Sequence, residues 1–181
     1  MTKLTFVFSS MNSGKTLALL TKNFMLREKG YKTLLIKPTI DDRTTTISSR
    51  IGLEEECMMI GKTDLLSDII GIQYDYILID EAQFLTRDQV WDLSNLVDYY
   101  HINIICYGLK LNWKAELFEG SKALIELADE LIQMDSIYKE TGNPALFHHK
   151  LGGSDEAVET GYEDLYETVS RKIWKEKRNR S

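Results

Sequence analysis

The 181 residues suffice for one domain with a small appendage, and an apolar share of 43% with two prolines and eleven glycines excludes a disordered or low-complexity chain. The net charge of −6 excludes the basic field of a general nucleic-acid binder. No stretch reads as a signal peptide, none approaches the roughly 18 apolar residues of a membrane span, and the two distant cysteines, Cys57 and Cys106, form no disulfide framework or zinc cluster, so a cytoplasmic protein that engages neither membrane nor nucleic acid is expected.

Residues 4–8 read as a buried strand feeding the polar loop Ser9-Ser10-Met11-Asn12-Ser13-Gly14-Lys15-Thr16. A helical pattern over 15–29 places Leu19, Leu20 and Phe24 on one face, with Gly30 as its stop signal. A strand over 33–37 is ended by Pro38, a short strand is expected over 57–60 and a short helix over 64–70. The strand over 76–79 ends in Asp80-Glu81. The helix over 86–100 opens on a capping box, Thr86 with Gln89 three residues on, and sets Val90, Leu93 and Val97 at helical spacing. A strand over 102–107, containing Cys106 as a small buried hydrophobe, ends at Gly108; a helix over 120–129 and a strand over 130–134 follow. Strands separated by helices imply an α/β fold, a mostly parallel sheet flanked by helices. Beyond residue 135 the pattern changes to loops and a hairpin, with Gly142-Asn143-Pro144, His148-His149 and Gly152-Gly153-Ser154-Asp155, and the basic run over 171–180 reads as a solvated helix end. The expected organisation is a nucleotide-binding domain over 1–134 and a small subdomain over 135–181.

The loop after the first strand ends in Gly14-Lys15-Thr16 and is followed by a helix, the arrangement of a phosphate cradle (P-loop). Backbone N–H groups of Ser9 to Gly14 would wrap a triphosphate, Lys15 would reach its β/γ oxygens, and the Thr16 hydroxyl can ligate Mg²⁺. Ser9 stands where the general pattern G-x-x-x-x-G-K-[ST] has its first glycine. Asp80-Glu81, at a strand end in the same chain, suits a divided task, one acid orienting Mg²⁺ and its waters and the other acting as a base, because successive residues leaving a strand point in opposite directions. Ligands of such sheets bind beyond the carboxyl ends of the strands, so the loop, Asp41, Asp80-Glu81 and Gly108 should meet at one edge.

In order along the chain, Ser10-Met11-Asn12-Ser13-Gly14-Lys15-Thr16, Ile40-Asp41-Asp42-Arg43, Ser48-Ser49-Arg50-Ile51-Gly52, Asp80-Glu81-Ala82-Gln83-Phe84-Leu85, Cys106-Tyr107-Gly108-Leu109 and Glu116-Leu117-Phe118-Glu119-Gly120-Ser121 resemble the type II thymidine kinases. The resemblance implies a RecA-like core with a C-terminal lasso loop, and transfer of the ATP γ-phosphoryl group to the 5′-hydroxyl of thymidine in nucleotide salvage. It implies Glu81 as catalytic base; Lys15, Arg43, Asp80 and Gln83 with the loop on ATP; and Thr16, Asp41 and Asp80 around Mg²⁺, partly through water. It further implies a base pocket of Met11, Phe84, Leu109, Trp113, Phe118 and Tyr166, with Val158, Glu159 and Gly161 on the base-reading loop. A homotetramer with feedback binding of thymidine triphosphate is part of the same expectation.

Three features depart from the family pattern. The structural zinc pairs of the family align with Tyr138 and Thr141 and with Ser170 and Ile173, none of which is a zinc donor, so no structural zinc is expected and packing by Tyr138 and Ile173 would take its place. Asn112, Trp113 and Ala115 replace an acidic residue, Phe and Gly, which leaves deoxyuridine beside thymidine as the acceptor. Tyr162 stands where Gly is frequent. The alternatives are a RecA-like P-loop ATPase and a nucleotide-binding sensor without catalysis.

Overall fold

Six parallel strands form the central sheet of the computed structural model, which describes residues 1–39, 45–71, 73–137, 142, 144–152 and 165–179. In chain order the elements are β1 (Leu4–Ser9), α1 (Lys15–Glu28), β2 (Thr33–Pro38), β3 (Thr46–Ser48), β4 (Glu54–Glu56), β5 (Met58–Ile60), α2 (Leu66–Ile69) and β6 (Tyr76–Ile79). A 3₁₀ turn (Ala82–Phe84), α3 (Arg87–Tyr100), β7 (Asn103–Leu109), α4 (Glu119–Leu127), β8 (Glu130–Gln133), β9 (Phe147–Lys150), β10 (Tyr166–Val169) and α5 (Arg171–Arg178) follow. The sheet runs β5-β2-β6-β7-β1-β8. Since β7 stands between β1 and β6, the loop leaving β1 and the acids leaving β6 flank the carboxyl end of β7.

Alternation along the strands divides the core between the two faces of the sheet. Leu4, Phe6 and Phe8 of β1 pack with Ile77 and Ile79 of β6 and with Val90, Leu93, Val97, Ala123 and Leu124 of α3 and α4. Val7, Leu35, Leu78 and Tyr107 belong to the other face, with Leu19, Leu20 and Leu26 of α1. Each fully buried aliphatic or aromatic side chain contributes about 1.5–3 kcal/mol to this core. On α1 the inward stripe runs through Leu19, Asn23 and Leu26, at i, i+4 and i+7. Phe24, expected on that face, is instead 62% exposed. Asn23 is buried at no cost to its carbonyl, which accepts from Thr33 Oγ1 at 2.7 Å. The capping box of α3 forms as read: Thr86 Oγ1 accepts from Gln89 N at 3.2 Å, and Gln89 Oε1 accepts from Thr86 N at 3.0 Å.

The β3–β4 hairpin has no counterpart in the sequence reading. Its second strand is Glu54-Glu55-Glu56, which looks like a solvated acidic run, and its buried anchor is Ile47 on the first. Beyond β8, β9 and β10 pair antiparallel and carry α5. Ala145 and Val169 are buried there, with Phe147, Ile173 and Trp174 packed against them. Ser170, one of the positions aligned with the family's zinc ligands, caps α5 by accepting from Ile173 N at 3.4 Å, and Ile173, the other, packs into the cluster. Tyr138 and Thr141 lie outside the described residues. Among the described residues, no helix is long and apolar enough to cross a membrane.

Trp174 holds this C-terminal layer to the rest of the chain. Its ring lies 5.7 Å from that of Phe147, and its indole N–H donates to the Trp113 carbonyl at 3.0 Å. Because the ring is only half-buried, Trp174→Ala is expected to lower unfolding stability in urea by about 2–3 kcal/mol, below the 3–5 of a fully buried aromatic, with Trp174→Phe recovering most of the packing part.

Candidate functional site

The phosphate-loop segment leaves β1 in a tight curl. Asn12 and Gly14 have left-handed φ values of 60° and 81°, and the Gly14 carbonyl begins α1 by accepting from Ala18 N at 2.9 Å. Serine hydroxyls stitch the curl: Ser13 Oγ donates to the Ser10 carbonyl at 2.9 Å and meets Ser9 Oγ. Lys15 Nζ lies inside, donating to the Ser10 carbonyl at 2.6 Å and Ser9 Oγ at 3.2 Å. Ser9, which replaces a glycine of the general pattern, thus contributes an acceptor to the lysine. Burial pulls the Lys15 ammonium below its ordinary range, while the charges of Glu81 and Asp80 pull the other way.

Asp80 and Glu81 leave β6 beside this curl. Asp80 is buried, and its Oδ2 accepts from Thr16 Oγ1 at 3.1 Å. Its Oδ1 is also buried and has no hydrogen-bond partner among the described residues. Burial first, then the neighbouring Glu81 charge, push Asp80 up to about 7, against the Thr16 hydrogen bond and Lys15. A buried carboxylate oxygen left unpaired beside a threonine hydroxyl is an oxygen donor set that fits a hard divalent cation such as Mg²⁺. Asp41 and Arg43, expected near metal and phosphate, lie outside the described residues.

Glu81 is held in the left-handed region, at φ 53° and ψ 36°, as the residue before the 3₁₀ turn. Such a conformation costs a non-glycine residue about 1–3 kcal/mol and persists only where the surroundings over-determine it. Gln83 and two glycines supply that restraint. The Gln83 side-chain amide donates to Glu81 Oε2, and its oxygen accepts from Leu109 N, at the end of β7, at 3.0 Å. A Cβ on Gly108 would lie 2.8 Å from Gln83 Oε1 and 3.0 Å from Gln83 N. A Cβ on Gly120 would lie 2.5 Å from the Ala82 carbonyl oxygen and 2.7 Å from that of Leu85. The turn is therefore gripped between the end of β7 and the start of α4, at a separation only glycine permits. Ser121 adds a bond from its hydroxyl to the Leu109 carbonyl at 2.5 Å.

The candidate pocket residues fall into two groups. Phe84 and Phe118 meet edge to face, with ring centroids 5.8 Å apart. Trp113 and Tyr166 share the Lys150 ammonium, which lies 5.5 Å and 5.8 Å from their ring centres. Met11 and Leu109 are half-buried, at the ends of the phosphate-loop segment and of β7. Val158, Glu159 and Gly161 lie outside the described residues. Asn112 organises the segment between Leu109 and Phe118: its Oδ1 accepts from Lys114 N at 2.9 Å and Glu116 N at 3.0 Å, and Ala115 adopts a left-handed φ of 62°.

His148, which in the sequence is only part of a loop-and-hairpin stretch, sits at the junction. On β9 and 2% exposed, it accepts from the Met11 N–H at Nε2 (2.9 Å), while Nδ1 lies 3.2 Å from the Leu111 carbonyl. Since that carbonyl can only accept, the proton is on Nδ1 and the ring is neutral. Burial first, then the Lys15 charge, push His148 down to about 4, although the Leu111 bond opposes this. Thr168 on β10 donates to the Met11 carbonyl at 3.4 Å, and Ser10 Oγ donates to Ser136 Oγ at 2.6 Å. Alternation on β9 places His148 opposite Phe147 and His149, but nothing in the local pattern says which side meets the loop.

A sequence model of the thymidine kinase family matches residues 2–174. A thymidine kinase of Photobacterium profundum is 38% identical over 188 aligned positions, covering 97% of this chain and 98% of that protein. One from Legionella pneumophila (strain Lens) is 40% identical, covering 91% of this chain and 82% of that protein, and one from Pasteurella multocida is 39% identical, covering 98% of each. A crystal structure of Pif1 helicase from Candida albicans overlays with a TM-score of 0.44 at 11% identity, covering 79% of this chain and 38% of that one, which is too distant to bear on function. With matches that run almost end to end on both sides, this chain belongs to the thymidine kinase family.

Proposed function

We propose that this protein is an ATP-dependent thymidine kinase that makes thymidine monophosphate for DNA precursor synthesis, with deoxyuridine as its second acceptor. The observation that carries the reading is the row Thr16–Asp80–Glu81–Gln83, which sets a carboxylate with an unpartnered buried oxygen and a braced carboxylate on neighbouring residues beside the loop that holds Lys15. Phosphoryl transfer asks for alignment and charge neutralisation more than covalent help, and both are what this row offers.

In the reaction, the 5′-oxygen of the nucleoside attacks the γ-phosphorus of ATP. Glu81 takes the 5′-hydroxyl proton as the new P–O bond forms, and the bond to the β,γ-bridging oxygen breaks to release ADP. Lys15 turns its ammonium from the Ser10 carbonyl to the transferred phosphoryl group. Thr16 and Asp80 would hold Mg²⁺, with Asp41 as a further acid, and the ion would supply charge neutralisation on the phosphates. Gln83 serves Glu81 through its amide, and Arg43 and residues 9, 10 and 12–14 complete the ATP site. Met11, Phe84, Leu109, Trp113, Phe118 and Tyr166 would wall the base, with residues 158–161 reading its edge. The same reading includes a cytoplasmic homotetramer with feedback by thymidine triphosphate.

A nucleoside panel with ATP and Mg²⁺, read as phosphorylated product, tests this. Thymidine-dependent ADP release supports the kinase, whereas ATP turnover indifferent to nucleoside would identify a motor-type ATPase. Glu81→Gln is expected to lower kcat by about 10²–10⁴-fold with little change in KM for ATP, and full retained activity would remove Glu81 as the base. Gly120→Ala is expected to lower kcat by about 100-fold while the protein stays folded, because the added methyl must push the 82–85 carbonyls and with them Glu81, and misplacement by about 1 Å costs a factor of that size. The C-terminal layer is proposed to hold together without zinc; stoichiometric zinc in elemental analysis of the purified protein would overturn that.

A further inference from the structure

We propose that His148 is a positioning residue that sets the spacing of the nucleoside pocket, by tying the Met11 peptide of the phosphate-loop segment to the Leu111 carbonyl. The inference rests on the kinase reading above, which puts Met11 on one side of the base and the Leu109–Trp113 segment on another. The imidazole is a strut with two unlike ends. Nε2 accepts the Met11 N–H at 2.9 Å, and Nδ1–H reaches the Leu111 carbonyl at 3.2 Å. Both bonds need the same neutral tautomer, because a proton on Nε2 would set two donors face to face. Burial excludes the water that could otherwise replace either end, and Lys15 nearby disfavours a second positive charge.

The strut also links two parts of the chain far apart in sequence. Met11 is held from both sides, by His148 of β9 at its N–H and by Thr168 of β10 at its carbonyl, and these two residues face each other across the hairpin. The C-terminal hairpin therefore fixes the residue that belongs to both the phosphate loop and the proposed base pocket. The Met11 N–H, being given to His148, is not a phosphate donor in this arrangement. The effect of losing the strut should consequently fall on the nucleoside.

Two substitutions separate the ends. Asparagine carries a donor where Nδ1 stands and nothing where Nε2 stands, whereas the glutamine amide oxygen reaches the Nε2 position and leaves Leu111 unserved. His148→Asn is expected to raise KM for thymidine about tenfold, with kcat within about threefold of wild type. His148→Gln, which cuts the Leu111 end instead, is expected to raise KM for thymidine by a similar factor. A role confined to stability would lower the melting temperature of both variants and leave KM in place, and that result, or a KM shift in only one of the two, overturns the inference. A wild-type protein that phosphorylates no nucleoside sinks the kinase reading and this inference together, whereas an active wild type with unshifted variants sinks this inference alone. Should both variants fail to fold, ¹⁵N-histidine NMR of the wild-type protein decides: a protonated Nδ1 and a bare Nε2 whose resonance moves on adding thymidine are expected, and an Nε2 signal indifferent to thymidine overturns it.

Discussion

The candidate site depends on one close approach. The turn after β6 lies so near the end of β7 and the start of α4 that a methyl group on Gly108 or Gly120 would strike backbone or amide atoms at 2.5–2.8 Å. Only at that separation can the Gln83 amide reach the Leu109 N–H on one side and Glu81 on the other. The left-handed conformation of Glu81 is the local cost of this fit, and the buried Ala82 and Leu85 on either side of Gln83 hold it in place. A carboxylate on a free loop would sample many positions, whereas one braced through a buried amide presents its remaining oxygen in a defined direction.

Charge is arranged with the same economy. Lys15 and Asp80 are placed where burial disfavours their charge, and each also feels the other and the neighbouring Glu81. Asp80 is raised because it loses water and faces a second acid, and its unpaired oxygen marks where a cation would relieve both. The site is thus incomplete electrostatically on its own, and the proposed metal-complexed triphosphate would complete it. His148 extends this economy to the C-terminal layer: a neutral ring joins that layer to the loop without adding charge next to the lysine.

Local pattern carried the parallel-sheet half well. The strand ends, the capping box at Thr86, the glycine-lysine-threonine loop and the paired acids are signals written within a few residues of one another, and the sheet places β1, β6 and β7 as those signals require. It failed where partners are distant. Phe24 fits a helical stripe as well as Asn23 does, yet the inward place goes to the asparagine, whose carbonyl accepts from Thr33 on β2 while its amide nitrogen has no partner among the described residues. The acidic strand Glu54–Glu56 pairs because Ile47 has a place to bury, which no window around residue 54 reveals.

The family and the parallel α/β architecture were therefore legible in the sequence alone, because each rests on ordered motifs and short-range periodicity. Only the tertiary structure decided which contacts hold the loop after β1 and the turn after β6 in place: Gln83 across to Leu109, Gly120 against Ala82, His148 onto Met11. All three join segments separated by tens of residues or more, and they depend on tolerances of a few tenths of an ångström. Composition and spacing carry no record of such distances; they arise when the packed sheet and its helices leave one side chain, or none, room to fit.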